Sequence, residues 1–420
     1  MNKGENIRVI TENALCSACG SCSGICPVDA IQMETNPAGF LNAVVDETTC
    51  IHCGKCMRVC PSNGERTDPD LVGPTISGYI GYAVDPVLRL ESQSGGVVTA
   101  LMRYMLAKKL VDGVVVSRFN CETRRAEGFL ASKVEQLDSS RGSHYTQTSP
   151  VDLILRNQDK RLAAVLLGCQ TAALQQIATH DPRIKLPVFT IGLICGGNLS
   201  GYVVDDILTQ GGVKLDHQLH SFRFRDKQYG GWPGNITART DRLVEIPKET
   251  RMELKPYYQN FRCILCADKM NQCCDLVAGD PWGVSIEDES AGYTAVITRN
   301  QKAETLLKNA VSTGCLVMKA NEIEEIVEGQ KITSDLAVRH RRTQNICLAK
   351  QWRYPYQLQM ENKTEITAQE EALLKKLSYL RELYLSTTTE KAKRLIRARK
   401  KEDYHPIREI LYQLKKRMLG

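Results

Sequence analysis

Cys16-Ser17-Ala18-Cys19-Gly20-Ser21-Cys22-Ser23-Gly24-Ile25-Cys26-Pro27 is followed by Cys50-Ile51-His52-Cys53-Gly54-Lys55-Cys56-Met57-Arg58-Val59-Cys60-Pro61. Both runs read Cys-x2-Cys-x2-Cys-x3-Cys-Pro. The first three thiolates of such a run wrap one face of a 4Fe-4S cubane, and the fourth, ahead of proline, turns away to ligate the other cluster of a pair. The spacing therefore predicts two clusters with crossed ligation: Cys16, Cys19, Cys22 and Cys60 on one, Cys50, Cys53, Cys56 and Cys26 on the other. Zinc usually draws its four ligands from two CxxC pairs set further apart, a poor match to two complete runs. Gly20 and Gly54 stand between ligands, where a side chain would crowd a cluster.

Residues 8–64 resemble the bacterial-type two-cluster ferredoxin fold, and the wider composition fits that reading. The chain holds 17 cysteines in 420 residues. Met1 to Asn6 lead into no apolar run, so no signal peptide is expected, and thiols in a cytoplasmic setting serve metal ligation or redox chemistry more often than disulfides. No apolar stretch reaches the roughly 20 residues of a transmembrane helix. The net charge of +7 is concentrated at the end: residues 391–420 carry 11 Lys or Arg against 3 Asp or Glu, so the body is close to neutral.

The chain divides into residues 1–65, short, Cys-rich and turn-rich; 66–78, a linker punctuated by Pro69, Gly73 and Pro74; 79–335, a larger domain; and 336–420, a basic helical tail. In the larger domain, amphipathic segments of helical length (97–110, 151–157, 171–179) alternate with short apolar runs (111–116, 163–167, 187–193, 294–298). That alternation predicts an α/β domain, with an antiparallel insertion in the Gly- and aromatic-rich stretch 200–255. The expected fold class is thus α+β and α/β: a ferredoxin-like domain, a central α/β domain and a helical tail.

Nine cysteines remain. Cys121, Cys315 and Cys347 read as small buried hydrophobes. Cys263-x2-Cys266, followed by Cys273-Cys274, places four thiols within twelve residues, which leaves a cluster, a zinc ion or a redox disulfide as candidates.

Six segments in order resemble the coenzyme F-420 hydrogenase/dehydrogenase beta-subunit family, which also includes a ferredoxin-dependent hydroxymethyl-chlorophyll a reductase. They are Ser92 to Leu101, Val111 to Val116, Arg141 to Tyr145 (a GS-x-Y loop), Leu166 to Leu174 (a G-x-P-C-Q turn), Ile191 to Gly197 (a G-L-x-C strand) and Arg262 to Gly283. One departs from the pattern: Gly168 abuts Cys169 without the usual proline, which puts the role of Cys169 in doubt. The resemblance implies bound FAD and often a third 4Fe-4S cluster, carried here onto Cys195, Cys263 and Cys266 with Cys274 or Cys273 as fourth ligand. It also implies flavin contacts at Ser94, Gly95, Gly96, His144, Tyr145, Gly168 and Gln170. On their own, Ser94-Gly95-Gly96 could be a simple helix cap, or a place where backbone amides meet an anion. Lys269 reads as a solvated lysine, with contact to an anionic group as the alternative.

Clusters pass single electrons and a flavin can hold two, so the parts imply an oxidoreductase linking one-electron carriers, such as ferredoxin or another redox protein, to a two-electron small-molecule substrate. The alternative is a flavin-free, polyferredoxin-like electron-transfer subunit docking to a larger redox complex. No catalytic side chain is assigned. The basic helix Lys391, Lys393, Arg394, Arg397, Arg399, Lys400, Lys401, with apolar Leu395, Ile396, Ile407, Ile410, Leu411 and Leu414, is expected to pack on the body, or to make a peripheral contact with an acidic partner or anionic lipid. No motif points to nucleic acid.

Overall fold

The computed structural model describes residues 4–67, 70–286, 290–357 and 365–403. Its first strands, β1 (Ile31–Thr35) and β2 (Leu41–Val45), form an antiparallel ribbon between the two cysteine runs, with Ile31 opposite Val45. There follow β3 (Ser77–Ala83), β4 (Gly113–Asn120), β5 (Arg125–Ala131), β6 (Leu162–Leu166), β7 (Phe189–Leu193), β8 (Ser221–Asp226), β9 (Asn235–Arg239), β10 (Leu243–Ile246), β11 (Leu276–Gly279), β12 (Thr294–Thr298) and β13 (Leu316–Asn321).

Eight of these make one mixed sheet in the order β13-β3-β12-β11-β7-β6-β4-β5. Its centre, β4, β6, β7 and β11, is parallel, and antiparallel strands flank it on both sides. The central strands read LAAVL, FTIGL and LVAG, apolar on both faces, as strands covered by helices on both sides must be. The helix Val97–Ala107 buries Val97, Leu101 and Met105 on one side of this sheet. Strand β4 outruns the apolar run 111–116 that suggested it. Its polar second half pairs with β5 as a hairpin, Asn120 opposite Arg125, and Arg118 meets Glu127 across the strands at 2.7 Å. The insertion is a separate antiparallel sheet, β10-β9-β8.

The ferredoxin-like region is welded to this body. Val151 N donates to Cys19 O at 3.1 Å, Ser23 Oγ to Asp152 Oδ1 at 2.8 Å, Ser200 Oγ to Ala38 O at 2.6 Å and Asn260 Nδ2 to Cys16 O at 3.3 Å. Residues 70–74 also lie against the body, where Pro74 O accepts from Arg299 Nη1 at 2.6 Å.

At the other end, three helices follow: Ala337–Ala349, Ala368–Tyr384 and Thr389–Asp403. Thr367 and Glu370 form a capping box that starts the second. Tyr384 stacks on Phe40 with ring centroids 5.4 Å apart, so this helix closes over the ferredoxin-like region. The third buries Ala392 and Ile396, and Lys400 pairs with Asp206. Ile407, Ile410, Leu411 and Leu414 lie outside the described residues. Among the described residues, no helix is long and apolar enough to cross a membrane.

The two equivalent motif glycines sit in unlike surroundings. Both have positive φ, 83° at Gly20 and 71° at Gly54. A Cβ on Gly20 would meet Ser149 Cβ at 2.9 Å and Asp152 Cβ at 3.0 Å, whereas one on Gly54 would meet only the tip of Arg58 at 3.7 Å. Gly54→Ala should cost about 1–2 kcal/mol from the left-handed backbone alone. Gly20→Ala should cost clearly more, because the body must also move. Thermal unfolding under anaerobic conditions checks this; equal losses would show that the packing contributes nothing.

Candidate iron–sulfur and cofactor site

The structure gathers twelve thiols into three sets. In the first, Cys22 is raised well above the usual thiol range by burial and by the charges of Cys19, Cys16 and Cys60. Cys16 is pushed up to about 11, chiefly by burial, and the Tyr384 hydroxyl lies beside it. Buried, mutually repelling thiols are costly as thiolates unless a metal compensates them, so the set fits a metal cluster. Backbone amides point at its sulfurs: Ala18 N to Cys16 Sγ and Ser62 N to Cys60 Sγ, both at 3.4 Å.

In the second set, Cys26, Cys50, Cys53 and Cys56 line a single small cavity with Pro27 and Gly54. Burial and the charges of Cys53 and Cys50 raise Cys56. Cys53 is exposed, while all four thiols of the first set are buried.

The third set differs from the expected one. Cys195, just after β7, and Cys263 and Cys266, on and after the short helix Phe261–Ile264, do come together. Their fourth neighbour is Cys169, at the start of the helix Gly168–His180. Its thiol is raised well above the ordinary range by burial and by the charges of Cys19, Cys266, Cys195 and Cys263. Cys274 is elsewhere: it is buried among Met270, Val277 and Ile297, donates to Asn271 O at 3.0 Å and fills the space that Gly192 leaves open. Cys273 bonds Gln175 Oε1 at 3.1 Å. The adjacency of Cys273-Cys274 to the CxxC suggested a ligand there, but β11 begins at Leu276 and carries this pair away along the sheet. The G-x-P-C-Q resemblance was the signal for Cys169.

Donors approach this third set too. Gly197 N reaches Cys195 Sγ and Asn198 N reaches Cys263 Sγ, both at 3.3 Å, and the Tyr356 hydroxyl reaches Cys266 Sγ at 3.6 Å. Arg262 is fully buried between the sets. It donates to Ser62 Oγ at 2.7 Å and faces Tyr356, Cys266 and Cys169, while its charge also acts on Cys60. The first set adjoins both others, since Cys22 feels Cys56 of the second and Cys169 of the third feels Cys19.

At the C-terminal end of β11, the parallel neighbour of β7, lies a polar cradle. Ligands of open α/β sheets bind at such strand ends. Asp280, after β11, accepts from Ser94 Oγ at 2.5 Å, from Arg225 at 2.6 and 3.2 Å and from Trp232 Nε1 at 3.0 Å. Lys227 donates to Arg89 O at 2.5 Å, Ala291 O at 2.6 Å and Ser94 O, and burial lowers it to about 7. Trp232 and Trp282 lie 4.6 Å apart. Four side-chain atoms around this loop are buried without a hydrogen-bond partner: Arg89 Nη2, Ser92 Oγ, Gln93 Nε2 and His144 Nε2. A bound polar cofactor would satisfy them, so the cradle fits one.

The expected flavin contacts divide accordingly. Ser94 and Tyr145 reach the Asp280–Arg225 pair. His144 faces Arg223, and burial lowers it to about 4, so its ring is neutral. Gly95 is used by the protein itself: a Cβ there would meet Gly81 O at 2.5 Å. Gly96, at φ 83°, caps the helix Val97–Ala107. Gly168 lies 2.8 Å (as Cβ) from Asp268, and Gln170 Oε1 accepts from Leu167 N at 2.7 Å as a cap. Asp280, Arg225, Lys227 and Trp232 were not singled out as binding residues from sequence. Only Asp280 had a signal, inside the last family-like segment.

Two family models, "Coenzyme F420 hydrogenase/dehydrogenase, beta subunit N-term" and the corresponding C terminus, match residues 79–156 and 159–324.

The chain belongs to the coenzyme F420 hydrogenase/dehydrogenase beta-subunit family.

Models of a 4Fe-4S dicluster domain match residues 15–63 and 42–97. Among relatives in this beta-subunit family, the F420-dependent formate dehydrogenase 1 subunit beta of Methanococcus maripaludis is 26% identical over 61% of this chain and 65% of its own length. The coenzyme F420 hydrogenase subunit beta of Methanothermobacter thermautotrophicus is 25% identical over 65% of this chain and 94% of its own. The chain thus spans less than two thirds of the first of these relatives. A chain of the F420-reducing NiFe hydrogenase complex from Methanosarcina barkeri shares the fold, with a TM-score of 0.51 and 18% identity over 66% of this chain and 94% of that one.

Proposed function

We propose that this beta-subunit-family protein is an iron–sulfur flavoprotein oxidoreductase that passes electrons between a one-electron partner protein and a two-electron substrate. The carrying observation is three adjoining four-thiol sets, the third reached at the C-terminal end of β7, and a polar cradle at the same end of its parallel neighbour β11. In this reading Cys16, Cys19, Cys22 and Cys60 hold one 4Fe-4S cluster, and Cys26, Cys50, Cys53 and Cys56 the second. Cys169, Cys195, Cys263 and Cys266 hold a third.

Residues 79–335 form the flavin domain. FAD, when bound in the cradle, supplies the exchange between one- and two-electron transfer. Ser94, Arg225 and Trp232, fixed on Asp280, and Tyr145, beside Arg225, orient it, and the neutral His144 ring offers it a hydrogen bond without a charge. The names of the relatives support coenzyme F420 as the two-electron substrate and a larger complex as the setting. The exposed second set is the docking end for a redox partner, because electrons transfer best where a cluster approaches the surface.

Anaerobic purification with iron, sulfide and flavin assays tests the reading. About 12 Fe and one flavin per chain are expected. About 8 Fe without flavin would instead make the chain a flavin-free electron-transfer subunit.

A further inference from the structure

The loop Cys195-Gly196-Gly197 is overhung by cations that the electron path does not use. Lys255 Nζ stands 3.5 Å from where a Cβ on Gly196 would lie. Lys376 Nζ reaches Gln259 Oε1 at 3.5 Å, and Gln259 Nε2 in turn reaches Gly196 O at 3.4 Å. Lys269, whose carbonyl accepts from Cys195 N at 3.0 Å, sends its ammonium to Gln330 O at 2.5 Å. Arg339 donates to Cys266 O at 3.3 Å, and its Nε is buried with no partner. Gly196 itself is exposed, so the loop is reachable from solvent.

Among the described residues, none of these four pairs with a carboxylate within 4.0 Å. The acid that acts on Lys269, Asp335, is exposed and sits 3.8 Å from Lys331. Four half-buried like charges repel one another, and a fold keeps them together when an anion joins them. Cys195 acts on Lys255 and Lys269 from one side of the loop, and Arg262 serves the buried side of the thiol set.

We propose that Lys255, Lys269, Arg339 and Lys376 form a binding site for a phosphate- or carboxylate-bearing group of a small molecule, held over the Cys195–Gly197 loop. The site deepens the oxidoreductase reading by naming the ligand class beside the third thiol set, and it rests on that reading only for which molecule brings the anion. Arg339 and Lys376 lie beyond residue 324, where the family match ends, so the C-terminal helices complete the site.

The test is isothermal titration of the full chain, purified anaerobically, with inorganic pyrophosphate. Saturable binding is expected, weakened about tenfold by Arg339→Gln and by Lys376→Gln, the loss of one charge-assisted contact each. Lys375→Gln, at an exposed neighbour on the same helix, should leave it unchanged. Pyrophosphate competing with FAD but not with riboflavin assigns the anion to the cofactor. Binding that persists in flavin-loaded protein assigns it to the substrate. Either result supports the site.

Affinity equal in all three variants overturns the proposal. So does a wild-type protein without saturable binding, or variants that change only iron content or midpoint potential, which would make the cations counter-charges of the thiols. Iron and flavin measured on the same samples keep the two readings apart: pyrophosphate binding with about 8 Fe and no flavin retains the anion site and removes the flavoprotein reading.

Discussion

Cys169→Ser should lower the iron content by about four Fe per chain, while Cys274→Ser leaves it unchanged. The expectation follows from where the chain carries each thiol. Cys169 opens the helix Gly168–His180 directly after β6, so it emerges at the same sheet edge as Cys195 after β7, and the charges of Cys195, Cys263 and Cys266 act on it. Cys274 enters the apolar layer under the sheet, bonded to Asn271 O. A cubane missing one thiolate is weakened, and serine can substitute as an oxygen ligand, so the diagnostic readings are iron and sulfide after desalting. Cys169→Ser with full iron, or Cys274→Ser with four Fe lost, would return the fourth ligand to the Cys273-Cys274 pair. Cys16→Ser serves as the positive control within the dicluster domain.

The second large effect concerns Asp280. Its carboxylate receives Ser94, Trp232 and both outer nitrogens of Arg225, and Arg225 is 4% exposed at its side chain. Asp280→Ala leaves that guanidinium buried and unpaired, a loss of about 3–5 kcal/mol. It also releases Ser94 and Trp232, so flavin should be lost on gel filtration. Asp280→Leu combined with Arg225→Met removes both charges and should recover much of the stability but none of the flavin. Urea midpoints and flavin absorbance check both. An Asp280→Ala midpoint within the range of a surface substitution, about 0.5 kcal/mol, would mean that water replaces the carboxylate and that the cradle is open.

How much of this was legible beforehand depended on how local the signal was. The two ferredoxin runs carry their ligands within eleven residues each, so chain spacing alone paired Cys60 with the first set and Cys26 with the second. The α/β body was legible because LAAVL is apolar throughout and FTIGL is apolar but for Thr190, as strands covered on both faces are. The β4–β5 hairpin was not, since its far half is held by cross-strand pairs such as Arg118 with Glu127 rather than by burial. Cys169 was not singled out beside the others because Cys169, Cys195 and the Cys263–Cys266 pair come from three separate segments, and sequence proximity favoured Cys274. Gly95, Gly168 and Gln170 carry a second use besides the cofactor contact that their family-like positions suggested: a close approach to Gly81, a close approach to Asp268 and a helix cap. Arg225, in β8, and Lys227, just after it, gave no local sign, because a basic residue there resembles any solvated one until its distant partners are known.

The unequal settings of Gly20 and Gly54 have a chemical corollary. Two motifs alike in ligand spacing are unlike in accessibility, with the first set walled in by the body and by Tyr384, and the second open at Cys53. Oxidants and chelators therefore meet one half of the dicluster domain well before the other. Exposure to air should strip iron in two stages, the outer centre first, leaving the inner centre in place without the one proposed to meet a redox partner. Ageing would thus disconnect the molecule from its partner before it damaged the chemistry inside.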